Sequence, residues 1–209
     1  MSNLPFRYYL ITDRKQCAPR PLPEVVEEAC RSGIRAVQLR EKDLPGRALF
    51  ELAQQVRSIT ERWDCRLLIN DRVDVALAAG ADGVHCRETS IPPTDIKTID
   101  SSLLVGASVH SLESARRSER QGADFLLFGP VWYTPSKAEY GAPQGVNALR
   151  EVVTGVSLPV FAVGGITPAI ANRCFEAGAY GVAGISSIME ASDTHEKVRE
   201  WQQVITEQT

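Results

Sequence analysis

The fold is most clearly indicated by residues 121–130, Gln121-Gly122-Ala123-Asp124-Phe125-Leu126-Leu127-Phe128-Gly129-Pro130. A helical pattern ends at Gly122, where glycine suits the left-handed residue that closes a helix. An apolar run begins soon afterwards and stops at Gly129-Pro130. The short turn between the two patterns is typical of a helix that delivers the chain into a parallel strand. The stretch therefore predicts a helix, a tight turn and a buried strand.

The loop that follows this strand is long and polar, and it runs as far as Gly145. Loops of this length in a compact domain are usually functional or disordered. Thr134, Ser136 and Lys137 supply two hydroxyls and a cation, which are donors suited to phosphate oxygens. A solvated surface loop with an incidental lysine is the alternative interpretation of the same residues.

The pattern recurs along the chain and predicts a βα repeat. The other copies are Ser32-Gly33-Ile34-Arg35-Ala36-Val37, Ala79-Gly80-Ala81-Asp82-Gly83-Val84 and Ala177-Gly178-Ala179-Tyr180-Gly181-Val182. The predicted strands are Tyr8–Thr12, Ala36–Leu39, Leu67–Ile69, Gly83–Cys86, Leu104–Ser108, Phe125–Phe128, Val160–Val163 and Gly181–Ile185. The predicted helices are Pro23–Ser32, Pro45–Trp63, Val73–Ala79, Pro93–Ile99, Leu112–Gln121, Val146–Val153, Pro168–Ala177 and Glu196–Thr206.

Eight strands that alternate with eight helices indicate an α/β protein of the (β/α)8 TIM barrel type. We expect residues 1–209 to form a single domain of this kind, because the length suits one hydrophobic core and lies near the lower limit for such a barrel. A doubly wound open sheet is the structural alternative, although open sheets more often hold fewer parallel strands.

Composition and charge narrow the class of partner. The chain is 44% hydrophobic and 23% charged, with a net charge of -3 and a pI near 5.7. These values give no overall attraction for nucleic acid or for an anionic membrane, so we expect neither as a partner. An anion must instead be bound by a local cluster of donors. The expected partners are small molecules, and a homo-oligomer is possible on this sequence.

The cysteines and the first residues of the chain indicate the cellular compartment of the protein. Cys17, Cys30, Cys65, Cys86 and Cys174 are scattered without C-x-x-C spacing, which argues against a disulfide framework and against a zinc site. The first residues lack the features of a secretory signal, and no apolar run approaches the roughly 18 residues that span a bilayer. We therefore expect a cytoplasmic protein.

A barrel brings the carboxyl ends of all its strands to one face, where active sites of this fold lie. Polar residues and glycines at these ends should therefore converge. They are Gln38, Arg40 and Lys42 after the second strand, Asn70 and Asp71 after the third, His85, Arg87 and Glu88 around the fourth, Ser108 and His110 at the fifth, Thr134, Ser136 and Lys137 after the sixth, Gly164 and Gly165 after the seventh, and Ser186 and Ser187 after the eighth.

Gly164-Gly165 leaves the seventh strand and enters a helix that has Pro168 in its first turn. Glycines leave the backbone N–H groups bare, which is typical of a phosphate cradle at a helix start. Ser186 and Ser187 add hydroxyls at the next strand end, and phosphate-binding barrels share a phosphate between these two loops. A plain turn is the alternative for the glycine pair alone.

Gln38-Leu39-Arg40-Glu41-Lys42-Asp43 alternates so that Gln38, Arg40 and Lys42 point to one side. Two cations at a barrel mouth would be neutralised by a polyanion such as pyrophosphate. The alternative is a salt-bridge network in which Arg40 and Lys42 pair with Glu41, Asp43 or Asp71.

Asn70 and Asp71 directly follow the third strand and present an amide and a carboxylate at the mouth. Next to a pyrophosphate, the Asp71 carboxylate suits Mg2+. The alternative makes Asp71 the N-cap of the helix that begins at Val73.

The sequence resembles the thiamine phosphate synthases and their paralogues, the TenI-like thiazole tautomerases, over nearly the whole chain. The motifs that carry the resemblance are Tyr9-Leu10-Ile11-Thr12-Asp13, Gln38-Leu39-Arg40-Glu41-Lys42, Ile69-Asn70-Asp71-Arg72, Gly83-Val84-His85, Gly106-Ala107-Ser108-Val109-His110-Ser111, Phe128-Gly129-Pro130, Thr134-Pro135-Ser136-Lys137 and Val163-Gly164-Gly165-Ile166. The resemblance implies a (β/α)8 transferase of thiamine biosynthesis that joins hydroxymethylpyrimidine diphosphate to thiazole phosphate and releases pyrophosphate, with Mg2+ as cofactor.

The resemblance also implies roles for individual residues. Those implied to hold the diphosphate are Gln38, Arg40, Lys42, Asn70 and Lys137, with Asp71 on Mg2+. Ser108 would lie by the pyrimidine, and Lys42, Ser108 and Lys137 are the implied catalytic residues. The residues implied to surround the thiazole phosphate or to bind substrate nearby are His110, Thr134, Ser136, Gly164, Gly165, Ile185 and Ser186.

One segment departs from the synthase pattern. After Gly-Val-His the synthases resemble one another in a Gly-Gln-Glu-Asp segment whose last carboxylate is a second Mg2+ ligand, whereas this chain has Arg87-Glu88-Thr89-Ser90. Ser90 occupies the ligand position, and Glu88 is the nearby carboxylate that could replace it. The departure favours the TenI-like branch. Pro130, which stands where the tautomerase histidine would be, and the retained Lys42 and Asp71 favour the synthase.

We therefore expect a synthase and keep two alternatives. A TenI-like thiazole phosphate tautomerase would bind thiazole phosphate without releasing pyrophosphate. The chain could also be a non-coupling thiazole phosphate-binding or regulatory protein. In that case Arg40→Ala and Lys137→Ala would change the ligand affinity without abolishing any turnover, because there would be none.

Overall fold

The structure, a computed structural model, describes residues 4–134 and 142–207 of the chain. Strands and helices alternate along the described residues. The strands are β1 Tyr8–Ile11, β2 Ala36–Leu39, β3 Arg66–Asn70, β4 Gly83–Cys86, β5 Leu104–Val109, β6 Phe125–Phe128, β7 Val160–Val163 and β8 Gly181–Gly184. The helices are α1 Leu22–Arg31, α2 Gly46–Arg62, α3 Val73–Ala78, α4 Pro93–Ile99, α5 Leu112–Arg120, α6 Gly145–Gly155, α7 Pro168–Glu176, α8 Ser186–Met189 and α9 Thr194–Thr206.

The eight strands form a closed parallel barrel in chain order. Closure is made by β1 and β8, which pair in parallel with Tyr8 opposite Val182 and Leu10 opposite Gly184. The predicted barrel is confirmed and the open sheet is wrong, because an open sheet would leave β1 or β8 at an edge. Every predicted strand is present, and its ends differ from the prediction by at most one residue.

Alternate residues of each strand build two separate cores. Leu10, Val37 and Ile69 face outward and are buried against the helices. Tyr9 and Phe161 face inward and fill the barrel together with Phe125, whose ring centroid lies 5.5 Å from that of Phe161. Because inward residues recur at every second position, the polar residues that continue the inward series past the aromatic layer line the mouth of the barrel.

The described residues contain one helix that the periodicity did not predict, the short α8 at Ser186–Met189. A single turn is too short to show a helical repeat in the sequence. It separates β8 from the longer α9, whose Trp201 is buried and donates through Nε1 to Ser187 Oγ at 2.8 Å. The predicted last helix is therefore α9, which begins two residues earlier than expected.

Candidate active site

The strand ends form one rim, which we call the C-terminal rim: the last residues of β1 to β8 and the loops that follow them. Closure of the barrel brings to this rim, among the described residues, every predicted site residue that we placed at a strand end. Ser136 and Lys137 lie outside the described residues, so their predicted roles stay predictions. Thr134, the last described residue before that gap, is half-buried.

A chain of hydrogen bonds crosses the inside of the barrel below the rim. Gln38 Nε2 donates to the hydroxyl of Tyr9 at 3.2 Å, and that hydroxyl lies 3.4 Å from His85 Nδ1. On the other side of the ring, His85 Nε2 lies 2.9 Å from Ser108 Oγ. The chain therefore links the ends of β1, β2, β4 and β5.

The direction of this chain follows from its first donor. The Gln38 amide N–H can only donate, so the Tyr9 hydroxyl accepts that hydrogen bond and donates one of its own to His85 Nδ1. A neutral imidazole then carries its proton on Nε2 and donates to Ser108 Oγ. The hydroxyl proton of Ser108 is thereby left to bind an acceptor at the barrel mouth.

Burial keeps His85 neutral. His85 is 1% exposed, and burial, assisted by the positive charge of Arg40, lowers the pKa of His85 to about 3. Desolvation disfavours the charged imidazolium, so the ring works as a neutral relay rather than as a cation.

Gly106 makes room for the His85 ring. A side-chain Cβ at Gly106 would lie 2.4 Å from Phe125 Cζ and 2.7 Å from His85 Nδ1. Even alanine would therefore push the imidazole away from Tyr9. The glycine that opens the Gly106-Ala107-Ser108 motif thus has a steric function in positioning the relay.

Glu41 is a buried hub between the loops after β1 and β2. Its carboxylate accepts hydrogen bonds from Thr12 Oγ1 at 2.6 Å and from Arg14 Nη1 at 3.0 Å. Thr12 Oγ1 in turn accepts from the backbone N–H of Arg40 at 3.0 Å. Glu41 therefore holds the backbone from which Arg40 extends to the mouth.

The acidic residues that were alternative partners of Arg40 and Lys42 are bound by other cations. Glu41 and Asp43 pair with Arg14, and Asp43 also pairs with Lys15 at 2.9 Å. The Arg14 guanidinium holds the pKa of the Asp43 carboxyl well below its usual range. Glu41 and Asp43 thus form a salt-bridge network around Arg14, which differs from the predicted alternative built on Arg40 and Lys42.

Asp71 lies at the rim in a strained backbone conformation. Its φ is +66°, which non-glycine residues rarely adopt, and its N–H donates to the carbonyl of His85 at 2.9 Å. Its side chain does not cap α3, because the N-cap residue is Arg72. The carboxylate instead forms an ion pair with Arg87 and accepts the Ser90 hydroxyl.

The contacts of the Asp71 carboxylate do not fit a Mg2+ ion. Mg2+ requires a near-octahedral set of oxygen ligands, whereas one Asp71 oxygen binds the Arg87 guanidinium and the other binds Ser90. Glu88 is exposed and borders a cleft of about 110 Å3 with Ile91 and Arg117. Within residues 4–134 and 142–207, no group of three or more His, Cys, Asp or Glu side chains is placed to hold a metal.

The glycine pair after β7 is pressed against the loop after β6. Gly164 and Gly165 have φ values of +98° and +64°, and a Cβ at Gly165 would lie 2.5 Å from the carbonyl oxygen of Tyr133. The carbonyl of Gly164 accepts the N–H of Trp132 at 3.0 Å. Only glycine fits this close approach, which aligns the glycine pair with the segment that leads to Thr134.

The loop after β8 lies next to that glycine pair, because β7 and β8 are neighbours in the barrel. Ser186 is the first residue of α8, where a backbone N–H has no partner within the helix. Its hydroxyl donates to Gln16 Oε1 at 2.7 Å. Ile185 is half-buried behind it.

His110 ties the ends of β5 and β6 together. Its Nδ1 lies 2.5 Å from the carbonyl oxygen of Gly129, which can only accept, so Nδ1 carries the proton. The ring is exposed at the rim. His110 can therefore present Nε2 as an acceptor toward a substrate.

A cavity of about 380 Å3 lies at the opposite end of the barrel, bordered by Arg7, Arg35 and Trp201. These residues precede β1 and β2 or belong to α9, and none comes from a strand end of the C-terminal rim. Active sites of this fold lie at the carboxyl ends of the strands. We therefore assign the candidate site to the rim.

Sequence reasoning missed several contributors. Tyr9, Arg14, Gln16 and the pairing of Arg87 with Asp71 were not predicted as parts of the site. Tyr9 had a usable signal, because it belongs to the inward-facing series of β1. Arg87 was expected at a strand end, but not as the partner of Asp71. Arg14 and Gln16 lie in an irregular loop, where no periodicity indicates direction.

The chain is similar to known proteins over most of its length. A model of the thiamine monophosphate synthase family matches residues 8–188. A protein of Geobacter sulfurreducens named "Putative thiamine-phosphate synthase" is 50% identical over 95% of this chain and 94% of its own length. The thiamine-phosphate synthase of Roseiflexus castenholzii is 41% identical over 91% of this chain and 84% of its own length.

Among solved structures, thiamine phosphate pyrophosphorylase from Pyrococcus furiosus superposes with a TM-score of 0.88 at 38% identity, covering 97% of this chain and 96% of that one. In the described ranges, none of the helices has the length and apolar character needed to span a membrane.

Proposed function

Because the chain belongs to the thiamine monophosphate synthase family, we propose that it is a transferase that couples hydroxymethylpyrimidine diphosphate to thiazole phosphate, giving thiamine phosphate and pyrophosphate. The observation that carries the proposal is that two groups of residues suited to phosphate oxygens meet at one rim. One comprises Gln38, Arg40 and Asn70 at β2 and β3, and the other is the glycine pair after β7. Ser108 at β5 lies between them in chain order around the barrel.

The first half of the reaction is a heterolysis. The bond between the pyrimidine methylene carbon and the diphosphate oxygen breaks, and its electron pair stays on the oxygen. Negative charge grows on the diphosphate, so Arg40 and Lys42, with Lys137 as a predicted partner, lower the barrier electrostatically. Gln38 and Asn70 are proposed to position the same group through their amides.

The second half forms the new bond. The thiazole nitrogen donates its lone pair to the methylene carbon, and no proton or further electron is exchanged. No protein nucleophile is required. Gly164, Gly165, Ile185 and Ser186 are proposed to hold the thiazole phosphate, so that the nitrogen approaches the carbon in a fixed orientation.

Ser108 is proposed to bind the pyrimidine. The relay from Gln38 through Tyr9 and His85 leaves the Ser108 proton free to donate. A ring nitrogen of the pyrimidine is an acceptor for such a proton. His110 and Thr134 are proposed to border the same space from β5 and from the loop after β6.

The test is a coupled assay that follows pyrophosphate release and thiamine phosphate formation with both substrates present. We expect equal amounts of the two products, and Ser108→Ala should lower kcat by about 10- to 100-fold because a positioned donor is lost. Ser102→Ala is the matched control, since Ser102 is exposed at the other end of β5 and bonds Asp100.

Binding of thiazole phosphate without pyrophosphate release would overturn the synthase in favour of a tautomerase or a regulatory protein. Adding EDTA or Mg2+ to the same assay measures the metal requirement that the resemblance implies, which the contacts of Asp71 with Arg87 and Ser90 do not favour. The cytoplasmic location and a homo-oligomeric state remain predictions, to be checked by cell fractionation and by light scattering.

A further inference from the structure

Arg87 directly follows the last residue of β4, at the carboxyl end of the strand. Within β4, His85 points into the barrel and bonds Ser108, whereas Val84 and Cys86 belong to the outer core. Arg87 follows two residues after His85, and its side chain turns to Asp71 at the end of the neighbouring strand β3. The guanidinium is therefore at the C-terminal rim beside the proposed diphosphate region.

The ion pair leaves most of the guanidinium available. Nε and one terminal nitrogen of Arg87 both donate to the same oxygen, Asp71 Oδ2. A guanidinium has five N–H groups, so three of them have no hydrogen-bond partner in the described part of the chain. The side chain is 50% exposed, and its remaining donors can reach a ligand without breaking the pair.

The position of Arg87 is held from several sides. Its backbone N–H donates to Ser90 Oγ at 2.8 Å, and the Ser90 hydroxyl donates to Asp71 Oδ1. Asp71 is itself held by the bond from its N–H to the His85 carbonyl. A short closed set of contacts thus fixes the guanidinium, and a preorganised donor loses less entropy when it binds.

The local charge matches that of a metal site. A Mg2+ ion between two carboxylates gives a cluster with no net formal charge. The Arg87 cation and the Asp71 anion also cancel, and Ser90 is neutral where the resembling synthases carry the second carboxylate. The same electrostatic balance is reached here with an arginine, whose fork of N–H groups suits phosphate oxygens.

We propose that the guanidinium of Arg87 takes the place of Mg2+ and binds the diphosphate directly, so that this chain binds its diphosphate without metal. The proposal rests on the proposed function, because it assigns Arg87 to the leaving group of that reaction. When the methylene carbon–oxygen bond breaks, the electron pair and the negative charge go to the diphosphate oxygen, and the Arg87 donors stabilise them without any transfer of a proton.

The test measures pyrophosphate binding by calorimetry, in EDTA and in Mg2+. Wild type should bind pyrophosphate in EDTA with a Kd within about threefold of its value in Mg2+, because a guanidinium already occupies the metal position. Arg87→Ala should weaken binding in EDTA by about 10- to 100-fold, as expected for lost charge-assisted hydrogen bonds. The pyrophosphate affinity of Arg87→Lys should lie between those of wild type and Arg87→Ala, because lysine keeps the charge but lacks the planar fork of N–H groups.

Arg72→Ala is the matched control. Arg72 is also half-exposed and also pairs with a carboxylate, Asp74, and it directly follows Asp71 in the chain. Its removal should leave the pyrophosphate affinity unchanged within about twofold. Thermal unfolding of both variants and their affinity for thiazole phosphate, which the β7 and β8 loops are proposed to bind, separate a local effect from a folding defect.

A double substitution tests whether Mg2+ can replace the guanidinium of Arg87. Arg87→Gly together with Ser90→Asp removes the guanidinium and restores a second carboxylate beside Asp71. We expect this variant to bind pyrophosphate weakly in EDTA and to recover by about 10-fold or more in Mg2+, since two carboxylates and a phosphate suit that ion. Ser90→Asp alone should gain less pyrophosphate affinity from Mg2+, because Arg87 still forms its ion pair with Asp71.

Two results would overturn the proposal: pyrophosphate binding by wild type only when Mg2+ is present, or an Arg87→Ala variant that binds pyrophosphate in EDTA as tightly as wild type. Neither result affects the coupled assay in Mg2+, so the proposed function would stand. Conversely, metal-free pyrophosphate binding that depends on Arg87 in a chain that forms no thiamine phosphate would refute the synthase activity alone.

Discussion

His85 Nε2 lies 2.9 Å from Ser108 Oγ, and on the other side of the ring the Tyr9 hydroxyl lies 3.4 Å from Nδ1. A buried, neutral imidazole thus stands between a tyrosine and the serine proposed to bind the pyrimidine. This arrangement makes the protonation and the position of His85 measurable properties of the site.

The stability of the protein should depend on pH through His85. Its pKa is about 3 in the folded chain and near 6.5 when unfolded. Between these values the unfolded chain binds a proton that the folded chain does not, so the free energy of unfolding falls as pH decreases from 6.5, by about 1.4 kcal/mol per pH unit.

Replacing the ring removes this contribution. We expect His85→Gln to be less stable than wild type at pH 7, and the difference to shrink by about 2 kcal/mol by pH 5. Urea unfolding at the two pH values measures the change. Parallel losses of stability in the two proteins would show that His85 does not titrate on unfolding.

Two adjacent tyrosines on β1 should respond differently to loss of the hydroxyl. Tyr9→Phe leaves the Gln38 amide and His85 Nδ1 without their partner, so we expect a loss of about 1–3 kcal/mol in the free energy of unfolding and a lower kcat. Tyr8 is the control: its hydroxyl is buried near Ser187 without satisfying hydrogen-bond geometry. Tyr8→Phe should be neutral or stabilising, and equal effects at both positions would contradict the relay.

Glu41 should matter far more for stability than an exposed glutamate. Its side chain is 2% exposed and binds Thr12 and Arg14. Glu41→Ala leaves their donors unpaired, which should lower the free energy of unfolding by about 3 kcal/mol. Glu51→Ala, which removes an exposed pair with Arg47, should change it by less than about 0.5 kcal/mol. Denaturant unfolding of both variants checks the contrast, and a small effect at Glu41 would argue against its role as a hub.

The glycine cradle can be tested with a pair of matched glycines. Gly165 and Gly80 have φ values of +64° and +63°, but a Cβ at Gly80 would meet no atom within 4 Å. Alanine should therefore strain both backbones by about 1 kcal/mol, while only Gly165→Ala displaces the Tyr133 segment.

We expect Gly165→Ala to raise the KM for thiazole phosphate by about 10- to 100-fold, since a misplaced phosphate misaligns the attacking nitrogen. Gly80→Ala should leave it unchanged. Steady-state kinetics with the second substrate held at saturation provides the measurement. Equal KM values for the two variants would contradict the proposal that this loop binds the thiazole phosphate.

Much of the fold could be predicted because its signals are local. The glycines that follow α1, α3, α5 and α7, and the short apolar run after each of them, are enough to place β2, β4, β6 and β8. Strand direction and order then follow from the right-handed βα connection. The short α8 was not predicted because a single turn shows no helical repeat, and its Ser186 was predicted only as a loop residue.

The partners within the site were harder to predict than its members. Gln38, Asn70, Asp71 and Ser108 were expected at the strand ends, and the barrel places them there. Their contacts depend on side chains from other strands: Tyr9 reaches Gln38, and Arg87 reaches Asp71 across β3 and β4. Sequence spacing orders residues along a strand, but it carries no information on which neighbour a side chain will meet.

The alternation of eight strands and eight helices, and the identity of the residues at one end of it, follow from local sequence, because periodicity and glycine positions act over a few residues. The pairing of Asp71 with Arg87 and Ser90, the contact of Glu41 with Arg14 and the burial of a neutral His85 became visible in the folded barrel. Charge pairing and desolvation depend on distances between segments far apart in the chain, and those distances exist once the barrel has closed.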